Sequence, residues 1–161
     1  MTQTDKPLDQ TVTSGAADLD DLRARLTEWL AGRLADATDV EVGDVTRPEA
    51  SGMSNISILF DASWTTRETG ERQTAQLVAR MCPLDDAFPV FPDYDLARQF
   101  AVMRVVGEHT ELPVPRVRWL EEDPAVLGSA FLVMDRVSGR APVDNPPYVF
   151  DGWLLGMSPE D

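Results

Sequence analysis

From Ile56 to Trp64 the chain alternates: Ile56, Ile58, Phe60, Ala62 and Trp64 carry the apolar side, Ser57, Asp61 and Ser63 the polar one. A period of two fits a strand with one buried face and misfits a helix, whose period is 3.6. A second strand-like run, residues 75–81, follows a charged connection over residues 66–73 that contains Gly70. Two such runs joined by so short a polar segment form a hairpin, so the sheet is antiparallel.

The flanking segments complete an α+β order. Residues 1–16 are small and polar and read as a disordered tail. A helix is predicted from Asp18. Leu19, Leu22, Leu26, Leu30 and Leu34 give it one apolar face, which Trp29 widens. Val40, Val42 and Val45 mark a first strand, and Ser51-Gly52-Met53-Ser54-Asn55 is turn chemistry before the second. After a loop rich in Pro, Asp and Phe over residues 83–92, Asp93 is expected to cap a second helix with the stripe Leu96, Phe100, Met103 and Val106. Pro113 and Pro115 end it. A fourth strand begins at Val117 and Trp119, turns at Asp123-Pro124, and a fifth covers residues 130–134. Gly139 and the Pro-rich residues 142–147 read as a linker. The predicted division is a tail over 1–16, a helix over 17–37, a sheet domain over 38–140 and a linker over 141–161. The final Ser158-Pro159-Glu160-Asp161 has the cap, first-turn proline and acids of a helix start. The chain therefore reads as the front part of a longer protein.

Composition narrows the partners. Fourteen basic against 28 acidic residues give a net charge of −14, an unfavourable field for nucleic acid or an anionic membrane surface. Cys82 is the single cysteine, so no internal disulfide forms, which suits a cytoplasmic setting. No apolar run is long enough to span a bilayer.

Few residues can carry chemistry. Gln76, Val78 and Arg80 share one face of the third strand, and a cation in so apolar a strand calls for an anion. That anion is either a nucleotide phosphate or a structural carboxylate, unless Arg80 lies on a solvated edge. The turn at Gly52 can aim backbone N–H groups and the Ser54 hydroxyl at phosphate, or can be a plain hairpin turn. Gln99 shares a helix face with Met103 and Val106 and can accept a hydrogen bond from Arg80, with Asp95 one turn earlier as a charged alternative; a solvated helix face is the other reading. His109, the single histidine, falls at the C-terminal end of the second helix, where a cation suits the dipole. It has no nucleophile beside it. Cys82 reads as a small buried hydrophobe, and no carboxylate cluster forms a metal cage.

These signals occur in a telling order: small-residue turn, third-strand cation, returning helix, buried strand, exit linker. In that order, Ser51-Gly52-Met53-Ser54-Asn55, Leu77-Val78-Ala79-Arg80-Met81-Cys82-Pro83, Leu112-Pro113-Val114-Pro115-Arg116-Val117 and Phe131-Leu132-Val133-Met134-Asp135-Arg136-Val137-Ser138-Gly139-Arg140 resemble the aminoglycoside phosphotransferase family. Its nearest likeness is to the kinase-like domains found with acyl-CoA dehydrogenases. The resemblance covers about residues 40–150. It implies the N-terminal lobe of a protein-kinase-like fold: a five-stranded antiparallel sheet with a packed helix, preceded here by an N-terminal helix.

The resemblance also implies roles. Gly52, Ser54 and Asn55 would belong to the loop over the nucleotide phosphates, and Arg80 would bind phosphate. Val78 would touch adenine, and Met134 would guard the back of the pocket. Asp135 and Val137 would offer a carbonyl and an N–H to the adenine edge. Gln99 stands where the family has a glutamate paired with the third-strand cation. The implied cofactors are ATP and Mg2+, and the implied partners are nucleotide and a small-molecule hydroxyl: aminoglycoside-like, choline-like or hydroxyacyl-CoA. The catalytic Asp and the metal-binding Asp of the family have no match in this chain, so no catalytic residue is assigned and the isolated stretch is expected to be inactive. A non-catalytic nucleotide-binding or scaffolding module, and a plain α+β interaction domain, are the alternative readings.

Overall fold

A computed structural model describes residues 13–48, 55–82, 94–139, 147 and 149–158. The elements run α1 (Thr13–Arg33), β1 (Ala37–Thr46), β2 (Ile56–Thr66), β3 (Arg72–Met81), α2 (Leu96–His109), β4 (Val117–Glu121), β5 (Phe131–Asp135) and a 3-10 turn (Trp153–Gly156). The strands form one sheet in the order β1-β2-β3-β5-β4, and every neighbouring pair is antiparallel. This is the α+β architecture that the sequence predicts.

The β2–β3 hairpin follows the alternation. Phe60 pairs with Leu77 and Ile58 with Ala79, and all four are buried. The strands reach further than expected, leaving only residues 67–71 as the connection. Gly70 sits there at φ 69, a left-handed conformation glycine adopts without strain. Its N–H closes onto the Thr66 carbonyl at 2.8 Å.

β1 looks weak in sequence because its buried residues, Ala37, Val42 and Val45, are spaced by odd numbers. Two bulges reconcile this. Between Thr38 and Glu41, and again between Val42 and Val45, β1 advances one residue more than β2. Each extra residue flips the facing, so all three side chains return to the core. Asp39, in the first bulge, takes φ 51, a conformation Asp tolerates better than most residues.

α1 begins at Thr13, ahead of the predicted Asp18, and covers the core face of the sheet. Leu22, Leu26, Leu30 and Trp29 are buried, with Leu19 and Leu34 packed at the margin. Full burial of Leu26 and Leu30 is worth roughly 1.5–3 kcal/mol each. The Trp29 ring meets Phe131 at 4.9 Å and Trp119 at 6.0 Å, both edge-on. Its indole N–H donates to Glu121 Oε2 at 2.8 Å, and Arg33 donates to the same oxygen at 2.6 Å. The Asp123 N–H donates to Glu121 Oε1 at 2.9 Å. Glu121 thus ties α1 to the far edge of the sheet.

Those donors, the Asp123 N–H first, then the Trp29 indole and Arg33, lower the Glu121 pKa from 4.5 to about 2. The unfolded chain holds the proton more tightly than the folded one. The stabilisation is therefore complete above about pH 4.5 and drains away as pH falls through about 2. Glu121→Gln should destabilise the fold by roughly 1–3 kcal/mol at neutral pH. It should also flatten the loss of stability on acidification between those two values. Urea unfolding of both proteins across that range checks it; parallel pH curves would refute the assignment.

Candidate functional site

The second face of the sheet turns away from α1. Leu132 lies there by alternation, between Phe131 and Val133, and is 0% exposed although it stands outside the α1-side cluster. Something must cover it, and α2 does so, packing on β4 and β5.

Strand register lays this face out in rows. Ser57, Arg80, Leu132 and Leu120 form one; Leu59, Val78, Met134 and Val117 form the next; Asp61 and Gln76 form a third. Arg136 closes the third row with an ion pair to Asp61 at 3.8 Å. Same-face neighbours along a strand stand about 7 Å apart. The middle row is a continuous apolar strip, with the Arg80 guanidinium one step along it. Arg80 is half-buried, and among the described residues it has no ion-pair or hydrogen-bond partner.

The Gly52 and Ser54 positions lie outside the described residues. Asn55 is described and half-buried. Because Ile56 pairs with Met81, the β1–β2 connection enters the sheet at the Arg80 end of the strip. At the other end, the Asp135 N–H donates to the Arg116 carbonyl and the Arg136 N–H to the Gln76 carbonyl, each at 2.9 Å. Outside the strand ladders, no backbone hydrogen bond to a described residue engages the Asp135 carbonyl or the Val137 N–H. Val137 is 66% exposed. The Asp135 carboxylate is held apart from these edges by an ion pair with Arg118.

α2 departs from the sequence reading in two ways. Its N-cap is Asp95, whose carboxylate accepts the Arg98 N–H at 2.8 Å and pairs with the Arg98 guanidinium at 3.2 Å. Asp93, the expected cap, lies outside the described residues. Asp95 is therefore committed to the helix start and does not supply charge to Arg80. Gln99 is half-buried on the inner face, as the stripe predicts, but forms no hydrogen bond with Arg80. The helix rests on β4 and β5 without touching β3, so residue 99 is not brought to the guanidinium.

Elsewhere the chemistry is quiet. His109 Nδ1 lies 3.0 Å from the Val105 carbonyl at the exposed end of α2. Cys82 is half-buried; burial raises its pKa, and a hydrogen bond with Ser129 opposes the rise. Among the described residues no group of three or more His, Cys, Asp or Glu side chains can hold a metal ion, and no helix is long and apolar enough to cross a membrane.

Sequence reasoning missed Leu59. It is the one large apolar residue on the otherwise polar side of β2, among Ser57, Asp61 and Ser63. That out-of-phase leucine was the available signal for a second apolar surface.

The model of the phosphotransferase enzyme family (APH) matches residues 58–151, more than half of the chain. The chain belongs to that family. It is also 51% identical over 47 residues to a probable acyl-CoA dehydrogenase, IBR3, of Arabidopsis thaliana. That stretch is 29% of this chain and 6% of the plant protein, so the chain spans only a small part of the curated relative it matches.

If Asp95 caps α2 rather than clamping Arg80, Asp95→Ala should loosen the helix by about 1 kcal/mol, and Asp95→Asn by much less. Hydrogen exchange of the first-turn α2 amides reads this out. Equal losses in the two variants would mean that the charge, not the cap, matters.

Proposed function

We propose that this chain is the ATP-binding lobe of a phosphotransferase that passes the γ-phosphoryl group of ATP to a hydroxyl of a small molecule. The observation that carries the reading is the row Leu59–Val78–Met134, flanked by Arg80 on one side and by the Asp135 carbonyl and Val137 N–H on the other. An adenine ring needs an apolar slot and one donor–acceptor edge; a triphosphate needs a cation one step away. Here the apolar row would be the slot, with the edge on one side of it and the cation on the other. Leu59, Val78 and Met134 would hold the ring, and Arg80 would meet the phosphates with more fixed donors than a lysine offers. Gly52, Ser54 and Asn55 would close over the phosphates.

ATP, when bound, supplies the transferable phosphoryl group. The catalytic and metal-binding aspartates of the family have no counterpart among the residues assigned here, and among the described residues no group of three or more His, Cys, Asp or Glu side chains is placed to hold Mg2+. No step is therefore assigned to metal or base within this chain, and the chain alone should transfer no phosphate. The acceptor belongs to one of three classes, aminoglycoside-like, choline-like or hydroxyacyl-CoA. The similarity to a probable acyl-CoA dehydrogenase favours the last. A cytoplasmic setting suits both ATP and the lone thiol of Cys82.

One observation favours the non-catalytic alternative: Gln99 is neutral and α2 does not reach β3. A nucleotide-binding module without turnover fits that equally well.

In the full-length protein, Arg80→Ala should weaken ATP binding roughly tenfold or more, the worth of a charge-assisted hydrogen bond. Leu59→Gln, which puts an amide into the apolar strip, should weaken it without changing the folded state seen by circular dichroism. Isothermal titration with ATP measures both. Wild-type affinity in both variants would sink the nucleotide reading; binding without any phosphoryl transfer to the three acceptor classes would favour the module.

A further inference from the structure

A groove of about 410 Å³ opens between the C-terminal half of α2 and the segment that enters β4. Its floor is apolar: Met103, Val114 and Val117, all half-buried. Arg104 and Arg116 stand on its rim, exposed, and among the described residues neither has an ion-pair partner. Glu108, also on the rim, pairs with neither. The Arg104 guanidinium lies over the Phe100 ring at 5.8 Å. Stacking of this kind fixes the plane of the group while leaving its in-plane N–H donors free for an anion.

Thus in a chain of net charge −14, two guanidiniums without an ion-pair partner among the described residues border one groove. They are set against an apolar floor, and the volume falls within the range of small-molecule sites. Val117, which lines the groove, pairs with Met134 and ends the Leu59–Val78–Met134–Val117 row, so the groove adjoins the β4 end of that row.

We propose that this groove is a second ligand site, one that takes a small amphiphilic acid: a carboxylate head held by Arg104 and Arg116, and a short aliphatic body on Met103, Val114 and Val117. Binding here needs no covalent step and does not depend on nucleotide occupying the other site.

Titration of the full-length protein with octanoate tests it, with acetate supplying the head alone and octanol the body alone. Octanoate should bind saturably at one site, and the two controls should not. Arg104→Gln and Arg116→Gln should each weaken binding roughly tenfold or more. A Cβ built on Gly107 comes within 3.4 Å of Val114 Cγ2, so residue 107 faces the groove. Gly107→Leu fills the groove from the helix wall, raises helix propensity, and should abolish octanoate binding in a protein that stays folded. The proposal is overturned if octanoate does not bind, if octanol binds equally well, or if the arginine variants keep wild-type affinity. An ATP titration of the same variants is a separate readout, so either site can fail without the other.

Discussion

The pairing of β3 with β5 is the constraint on which the rest depends. On one face it brings Leu77, Ala79 and Met81 against Phe131 and Val133, all 3% exposed or less. On the other it sets Val78 and Arg80 beside Met134 and Leu132. A sheet centre that is apolar on both sides needs two covers. α1 supplies the first, pinned through Trp29 and Glu121. α2 supplies the second only in part, over β4 and β5. Among the described residues, no helix covers the strip on β2 and β3, an apolar row bordered by a cation.

The β1–β2–β3 ribbon serves that surface by its register. The bulges in β1 spend two residues to keep Val42 and Val45 in the core. β1 then ends with Thr46 opposite Leu59, while β2 begins three residues earlier, at Ile56. The chain therefore enters β2 on the Arg80 side of the apolar strip.

Much of this was legible in the sequence. Period-two alternation in β2 fixed the hairpin, the leucine stripe gave α1, and the faces of Val78 and Arg80 followed from parity alone. What escaped has physical reasons. Bulges hide strand parity, so β1 looked feeble although three of its residues are buried. Helix starts depend on which of several acids finds the third N–H, and Asp95 rather than Asp93 meets the Arg98 amide. Leu59 was overlooked because a single apolar residue on a polar face is commonplace; only register reveals that it continues a row begun by Val78 and Met134. The seat of α2 was beyond reach, since a stripe says which side of a helix is buried and not which strands bury it.

That seat decides how Arg80 can work. In a clamp made by the protein, a carboxylate on α2 would neutralise the guanidinium and hold it in place before any ligand arrived. Here Asp95 is bound to its own helix, Gln99 is neutral, and α2 stands off β3. A half-buried guanidinium with no counter-charge among the described residues has given up part of its hydration. On the proposed reading, a polyphosphate would meet a cation whose desolvation is already partly complete. Replacing Gln99 with Glu would offer Arg80 a competing carboxylate only if α2 moved toward β3. On that reading the ligand, and not the helix, would complete the charge balance of this face.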